Sequence, residues 1–179
     1  NSKFRHVVPY GSSYISDQNT TEMLDVSTQA KFDSINIPPS AISVSFNEPL
    51  DAVTSIKDSF LANYSSLLYI DLSGLSSVTS IGNSFLDGCS KIGEVHLDSL
   101  SNLSSIGNNF LNGCSELQLL YVPVKDPTTI TWPSGTTNFM NGTPGGGTVC
   151  AGMYRWKYAS TAPWSTLTER GGDSWGFDE

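Results

Sequence analysis

Few side chains in this sequence carry reactive groups, and their spacing limits the chemistry open to them. The two histidines are His6 and His96, and the three cysteines are Cys89, Cys114 and Cys150. His6 lies in FRHVVPY with no motif partner nearby, and a lone histidine of this kind is more often structural or solvated than catalytic. Asp71 and His96 hold the same place in two successive copies of an internal repeat. Carried on neighbouring strands, they would form a carboxylate–imidazole pair suited to acid–base work. Covalent catalysis also needs a nucleophile within reach of the base. Cys89 and Cys114 instead recur in an apolar column, where a free cysteine packs as a small hydrophobe. Neighbouring positions allow a disulfide by distance alone, but side chains stacked in parallel strain that bond. Both thiols are expected to be free and buried. Cys150 alternates away from Val149 and Ala151 and is expected to be the more exposed and reactive thiol. There is no CxxC pair and no Cys/His cluster of metal spacing. Asp173, Asp178 and Glu179 form an acidic tail, weak evidence for a cation site. Asn19, Asn63, Asn102 and Asn141 open N-x-S/T sequons, which arise by chance in a chain this rich in Asn, Ser and Thr. The expectation is therefore not an enzyme, with no catalytic residue, no metal and no cofactor.

The elements that position these residues come from the repeat itself. The segments LDAVTSIKDSFLANYSS, LSSVTSIGNSFLDGCSK and LSNLSSIGNNFLNGCSE begin at Leu50, Leu75 and Leu100, a constant 25-residue period. Phe60, Phe85 and Phe110 share one column, and Tyr64, Cys89 and Cys114 another. A fixed period of this size marks a solenoid, in which no unit buries its apolar face without its neighbours. Each unit also holds an apolar pair two positions apart: Ile70 and Leu72, Val95 and Leu97, Leu120 and Val122. Alternate positions share one face of a strand, so each pair predicts a short strand stacked in parallel on the next. Ile42, Val44 and Phe46 show the same alternation one unit earlier. The return segment carries Gly82-Asn83 and Gly107-Asn108, where glycine suits a positive φ or a close backbone approach. Lys57-Asp58 in the first copy makes positive φ non-obligatory there.

A fourth, degenerate unit follows a longer loop near residues 124–129. Phe139-Met140 takes the Phe-Leu column, Thr143 the cysteine column, and Val149–Ala151 the strand. Four regions result: a cap or lead-in at 1–41, repeats at 42–151, a C-terminal cap at 152–170 and an acidic tail at 171–179. Tyr154, Trp156 and Tyr158 alternate in the C-terminal cap, which favours a strand over a short helix.

Net charge is −8, and no basic stripe exists to displace counterions from phosphates, which argues against nucleic acid. The same balance argues against anionic lipid. No apolar run approaches a membrane span, and no signal-peptide pattern begins at Asn1.

The unit L-x-x-I-x-L-S-x-L-x-x-V-x-S-I-G-x-x-F-L-x-G-C over residues 67–89 resembles the BspA-like, or Treponema-type, leucine-rich repeat of bacterial surface proteins. Its specific part is Ile-Gly-x-x-Phe-x-x-x-Cys, present as Ile81–Cys89 and Ile106–Cys114, with Ile56–Tyr64 as a variant. The closing VCAGMYRWKYASTAPWSTL is similar to the family's usual end, so the likeness covers about residues 42–168. The period is slightly longer than the common form, and the loop before Trp132 departs from it. The resemblance implies an α/β, right-handed leucine-rich-repeat solenoid. It would have short parallel strands on a concave side, an irregular convex side, about four to five turns and a C-terminal cap. It also implies binding or adhesion at the cell surface, with an extracellular or host protein as partner.

Between the core positions of each strand, side chains face outward. Stacking sets them in two columns, Tyr69-Glu94-Leu119 and Asp71-His96-Tyr121. Exposed aromatic and charged groups on a rigid sheet suit a protein partner, although any single one of them reads equally well as solvated surface. A glycan stacked on Trp132, Trp156 or Trp164 is the alternative partner, and a spacer presenting another domain the alternative role.

Overall fold

The computed structural model describes the backbone of residues 13–16, 21–122, 148–151, 154–157 and 168–169, and the side chains of 15–16 and 23–121. Strands β1 (Ser13–Ser16) and β2 (Thr21–Met23) precede helix α1 (Gln29–Ser34). Then come β3 (Ser43–Phe46), β4 (Ser55–Ile56), β5 (Tyr69–Asp71), β6 (Ser80–Ile81), β7 (Glu94–His96), β8 (Ser105–Ile106) and β9 (Leu119–Val122). β10 (Thr148–Ala151), β11 (Tyr154–Lys157) and β12 (Thr168–Glu169) complete the described elements.

Each repeat unit supplies two short strands, and like strands stack in parallel. The shorter ones form a narrow ladder, β4-β6-β8, with Ser55 opposite Ser80 and Ser80 opposite Ser105. The others form two sheets, β2-β1-β3-β5 and β12-β11-β10-β9-β7. The result is a solenoid-like repeat fold of parallel strands in small sheets. Antiparallel strands flank the parallel ones at either end, β1 on β3 and β11 on β10. The strand expected at Val149–Ala151 is β10, with Val149 opposite Leu120 of β9. The loop near 124–129, the Phe139-Met140 and Thr143 columns and the acidic tail lie outside the described residues.

The expected columns build the core. Ile70, Leu72, Val95, Leu97 and Leu120 are buried. The phenylalanines stack face to face: Phe60 on Phe85 at 6.3 Å between centroids and Phe85 on Phe110 at 5.5 Å. The stack extends back to Phe32 of α1, 5.0 Å from Phe60 and nearly parallel to it. Full burial of a phenylalanine stabilises by about 2–3 kcal/mol, so this one column is a major part of the cohesion.

Polar side chains tie one repeat to the next on the narrow-ladder side. Asp58 Oδ1 accepts from the Asn83 backbone N–H at 2.7 Å, and Asn83 Oδ1 accepts from that of Asn108 at 2.8 Å. Gly82 and Gly107 sit beneath this amide ladder, and close approach rather than positive φ requires them. A Cβ on Gly107 would stand 2.4 Å from Asn83 N and 2.5 Å from Gly82 C. Left-handed backbone occurs instead at two equivalent positions in three repeats, Ser59, Ser84 and Asn109, and Asn63, Gly88 and Gly113, and also at Leu61.

Gln29 closes the front of the narrow ladder. In the ladder itself, the Thr79 carbonyl accepts from the N–H groups of Ser104 and Ser105 at 2.8 and 3.2 Å. Two repeats earlier, Gln29 Oε1 accepts from the N–H groups of Thr54 and Ser55 at 2.8 and 3.2 Å. Its Nε2 donates to the Ser55 carbonyl at 3.0 Å. The side-chain amide occupies the place of a peptide group from a repeat that α1 replaces. Thr28 caps this helix, its Oγ1 accepting from Lys31 N–H at 3.2 Å.

Candidate binding face

The outward residues of β5, β7 and β9 fall where alternation puts them. Tyr69 is 51 % exposed and Glu94 is exposed, while Asp71, His96, Leu119 and Tyr121 are half-buried. Parallel pairing of β7 with β9 sets Glu94 opposite Leu119 and His96 opposite Tyr121. The His96 ring stacks on the Tyr121 ring at 4.2 Å and 9°. This contact follows from register: directly opposed side chains on adjacent strands lie within reach of one another.

The same continuity does not run from β5 to β7. β5 pairs in parallel with β3, Tyr69 opposite Ser43 and Asp71 opposite Ser45. β5 and β7 lie side by side but belong to different sheets. Each expected column is thus divided by a seam, with Tyr69 and Asp71 on one side and the other four residues on the other.

The seam decides where the carboxylates and the imidazole turn. Asp71 and His96 do not form a dyad. Asp71 Oδ1 accepts from the Ser73 backbone N–H at 2.9 Å, and Ser45 Oγ donates to Asp71 Oδ2 at 3.5 Å. Ser45 is fully buried although it lies in the outward phase of β3. His96 is engaged along its own strand: Nε2 lies 3.4 Å from Glu94 Oε2, and Nδ1 lies 3.4 Å from Asp98 Oδ1. Asp98 belongs to the face and was not among the expected residues, though its spacing of two beyond His96 continues the outward phase of β7.

No thiol among the described side chains stands ready to act as a nucleophile beside this face. Cys89 and Cys114 are free and buried. Cys89 Sγ donates to the Leu61 carbonyl at 3.1 Å, and Cys114 Sγ to the Leu86 carbonyl at 3.2 Å. Tyr64, which holds the same column one repeat earlier, donates its hydroxyl to the Ile37 carbonyl at 2.5 Å. The column therefore supplies donors to the preceding repeat as well as apolar packing. Burial pushes the Cys89 thiol up to about 12, and Cys114 is raised further by burial and by Cys89. A reactive cysteine needs a shift in the opposite direction.

Among the described residues, no group of three His, Cys, Asp or Glu side chains is placed to hold a metal ion. No helix among them is long and apolar enough to cross a membrane. Cys150 stands opposite Tyr121 in the backbone register of β10 and β9, but its side chain lies outside the described ones. Trp132 and Trp164, named for the glycan alternative, also lie outside the described residues, and only the backbone of Trp156 is described. His6 is outside as well.

Comparison with known proteins adds one match. A family model described as the BspA type leucine rich repeat region matches residues 28–133 in 6 copies, more than half of the chain. Its first residue, Thr28, is the cap of α1, so the match takes in the helix that carries Gln29 and Phe32. No curated protein and no solved structure matches the chain.

Proposed function

The chain belongs to the BspA-type leucine-rich-repeat family, a group of protein-interaction modules, and on that premise we propose that it binds an extracellular protein through the outward face of β5, β7 and β9. One observation carries this reading. The half-exposed aromatic rings of Tyr69, His96 and Tyr121 stand among carboxylates on strands whose opposite faces are locked into the core. Aromatic side chains on a rigid support bind partners at small entropic cost, and interface hot spots are rich in tyrosine. In a curved solenoid this face is the concave one, where a partner touches several repeats at once. The role is adhesion or capture at the cell surface, with no catalytic step.

The test is a Tyr69→Ala/His96→Ala/Tyr121→Ala variant presented to a panel of extracellular matrix and serum proteins. Capture seen with the parent protein is expected to fall at least about tenfold, since hot-spot aromatics each contribute more than about 1 kcal/mol. The circular dichroism spectrum should not change. Undiminished capture by the folded variant rules the face out.

A further inference from the structure

The face has a charge as well as a shape. Side chains described between residues 23 and 121 include ten carboxylates (Asp25, Asp33, Glu48, Asp51, Asp58, Asp71, Asp87, Glu94, Asp98 and Glu116) and three lysines (Lys31, Lys57 and Lys91). Two of the three lysines are committed away from the face: Lys31 to Asp25 at 2.7 Å, and Lys57 to the Asp33 carbonyl. On the face itself, Asp71 lies on one side of the seam, and Glu94 and Asp98 lie on the other. The outward positions of β5, β7 and β9 include no lysine or arginine.

Tyr69 stands half-exposed on the β5 side, and the His96–Tyr121 stack on the β7 side. Flat rings beside carboxylates match one side chain in particular. A guanidinium stacks on an aromatic face and donates in a planar fork to carboxylates, whereas an ammonium does neither as well. The hydrogen bonds that Asp71 accepts come from Ser73 and Ser45, both neutral donors, so they leave its negative charge in place. Resting on the proposed role of this face, we infer that the partner presents an extended segment bearing arginine, and that an arginine side chain seats across the seam between Asp71 and the Glu94–Asp98 pair.

The probe is an extended peptide of alternating arginine and serine, compared with its lysine and glutamate counterparts, titrated into the full chain labelled with nitrogen-15. The arginine peptide should shift the amide signals of Tyr69–Asp71 and Glu94–Asp98. The lysine peptide should bind more weakly, and the glutamate peptide should leave the spectrum unchanged. An Asp71→Asn/Glu94→Gln/Asp98→Asn variant keeps the acceptor for Ser73 and should lose about tenfold in affinity, as expected for three partly exposed pairs. A Glu48→Gln/Asp51→Asn control should lose none. Absence of shifts with the arginine peptide, shifts scattered over the whole chain, or equal weakening in the control would overturn the inference. The extracellular partner separates this result from the role of the face. Capture lost with the aromatic triple variant but kept by the neutralised one overturns the arginine assignment alone.

Discussion

The two sides of the repeat are made from the same 25-residue period and behave differently. On the narrow-ladder side, β4, β6 and β8 pair without a break, and Asp58, Asn83 and Gln29 add side-chain hydrogen bonds between repeats. On the side of the outward face, β5 and β7 do not pair. The phenylalanine stack runs between the two sides and belongs to both, with Phe60 6.3 Å from Phe85 and Phe85 5.5 Å from Phe110. Cohesion is concentrated on one side and accessible chemistry on the other. A repeat protein meets both needs only if the groups that lock the register are not the groups that meet a partner.

The most severe way to break the comparison removes what both sides share. Phe85→Ala empties the centre of the ring stack and should cost about 3–5 kcal/mol, read as a lowered denaturant midpoint. If the two sides were independently stable, the loss would be much smaller.

A pair of glycine substitutions sharpens it. Gly107→Ala drives a methyl group into the backbone of Asn83 and Gly82 beneath the amide ladder and should cost about 1–3 kcal/mol. Gly93→Ala, just before β7, meets its nearest atom, the Glu116 carbonyl oxygen, at 4.0 Å. That change should leave the thermal midpoint nearly unaltered. Equal costs at the two positions would contradict the division between a locked and an open side.

The smallest effect is invisible at neutral pH. Cys89 ionises at about 12 in the folded chain, against an ordinary value of 9.0. The folded state therefore holds the thiol proton more tightly than the unfolded state. The stability this confers is complete below about pH 9 and is lost as pH rises from 9.0 toward 12. Cys114 is shifted in the same direction. Denaturant midpoints should fall through this window in the parent chain and fall less steeply in a Cys89→Val/Cys114→Val variant. Parallel curves would show that the thiols do not couple to folding.

Much of the fold is legible in the residues because a solenoid translates sequence period into spatial repeat. The Ile, Leu, Phe and Cys columns, and the strand at Val149–Ala151, follow from counting in steps. Two features escape counting. Phe32 joins the ring stack from a helix, out of step with the column of Phe60, Phe85 and Phe110. Gln29 acts by imitating backbone, a role that no apolar pattern announces. The outward face was legible as a set of positions but not as a set of partners. Tyr69 and Glu94 are separated by one period, as are Glu94 and Leu119, yet only the second pair lies on hydrogen-bonded strands. The seam leaves no mark on spacing, so the column that would set Asp71 beside His96 is broken: His96 meets Glu94 and Asp98, and Asp71 meets Ser73 and Ser45.

Gln29 has a further consequence, best put in the language of polymers. A stack of identical strands offers the same backbone groups at its first face as between any two of its layers, and an open face of that kind can template growth. By committing its amide to Thr54 and Ser55, Gln29 satisfies the donors and the acceptor that another layer would use. It is a chain terminator: the ladder has a beginning because one side chain has already taken the next monomer's place.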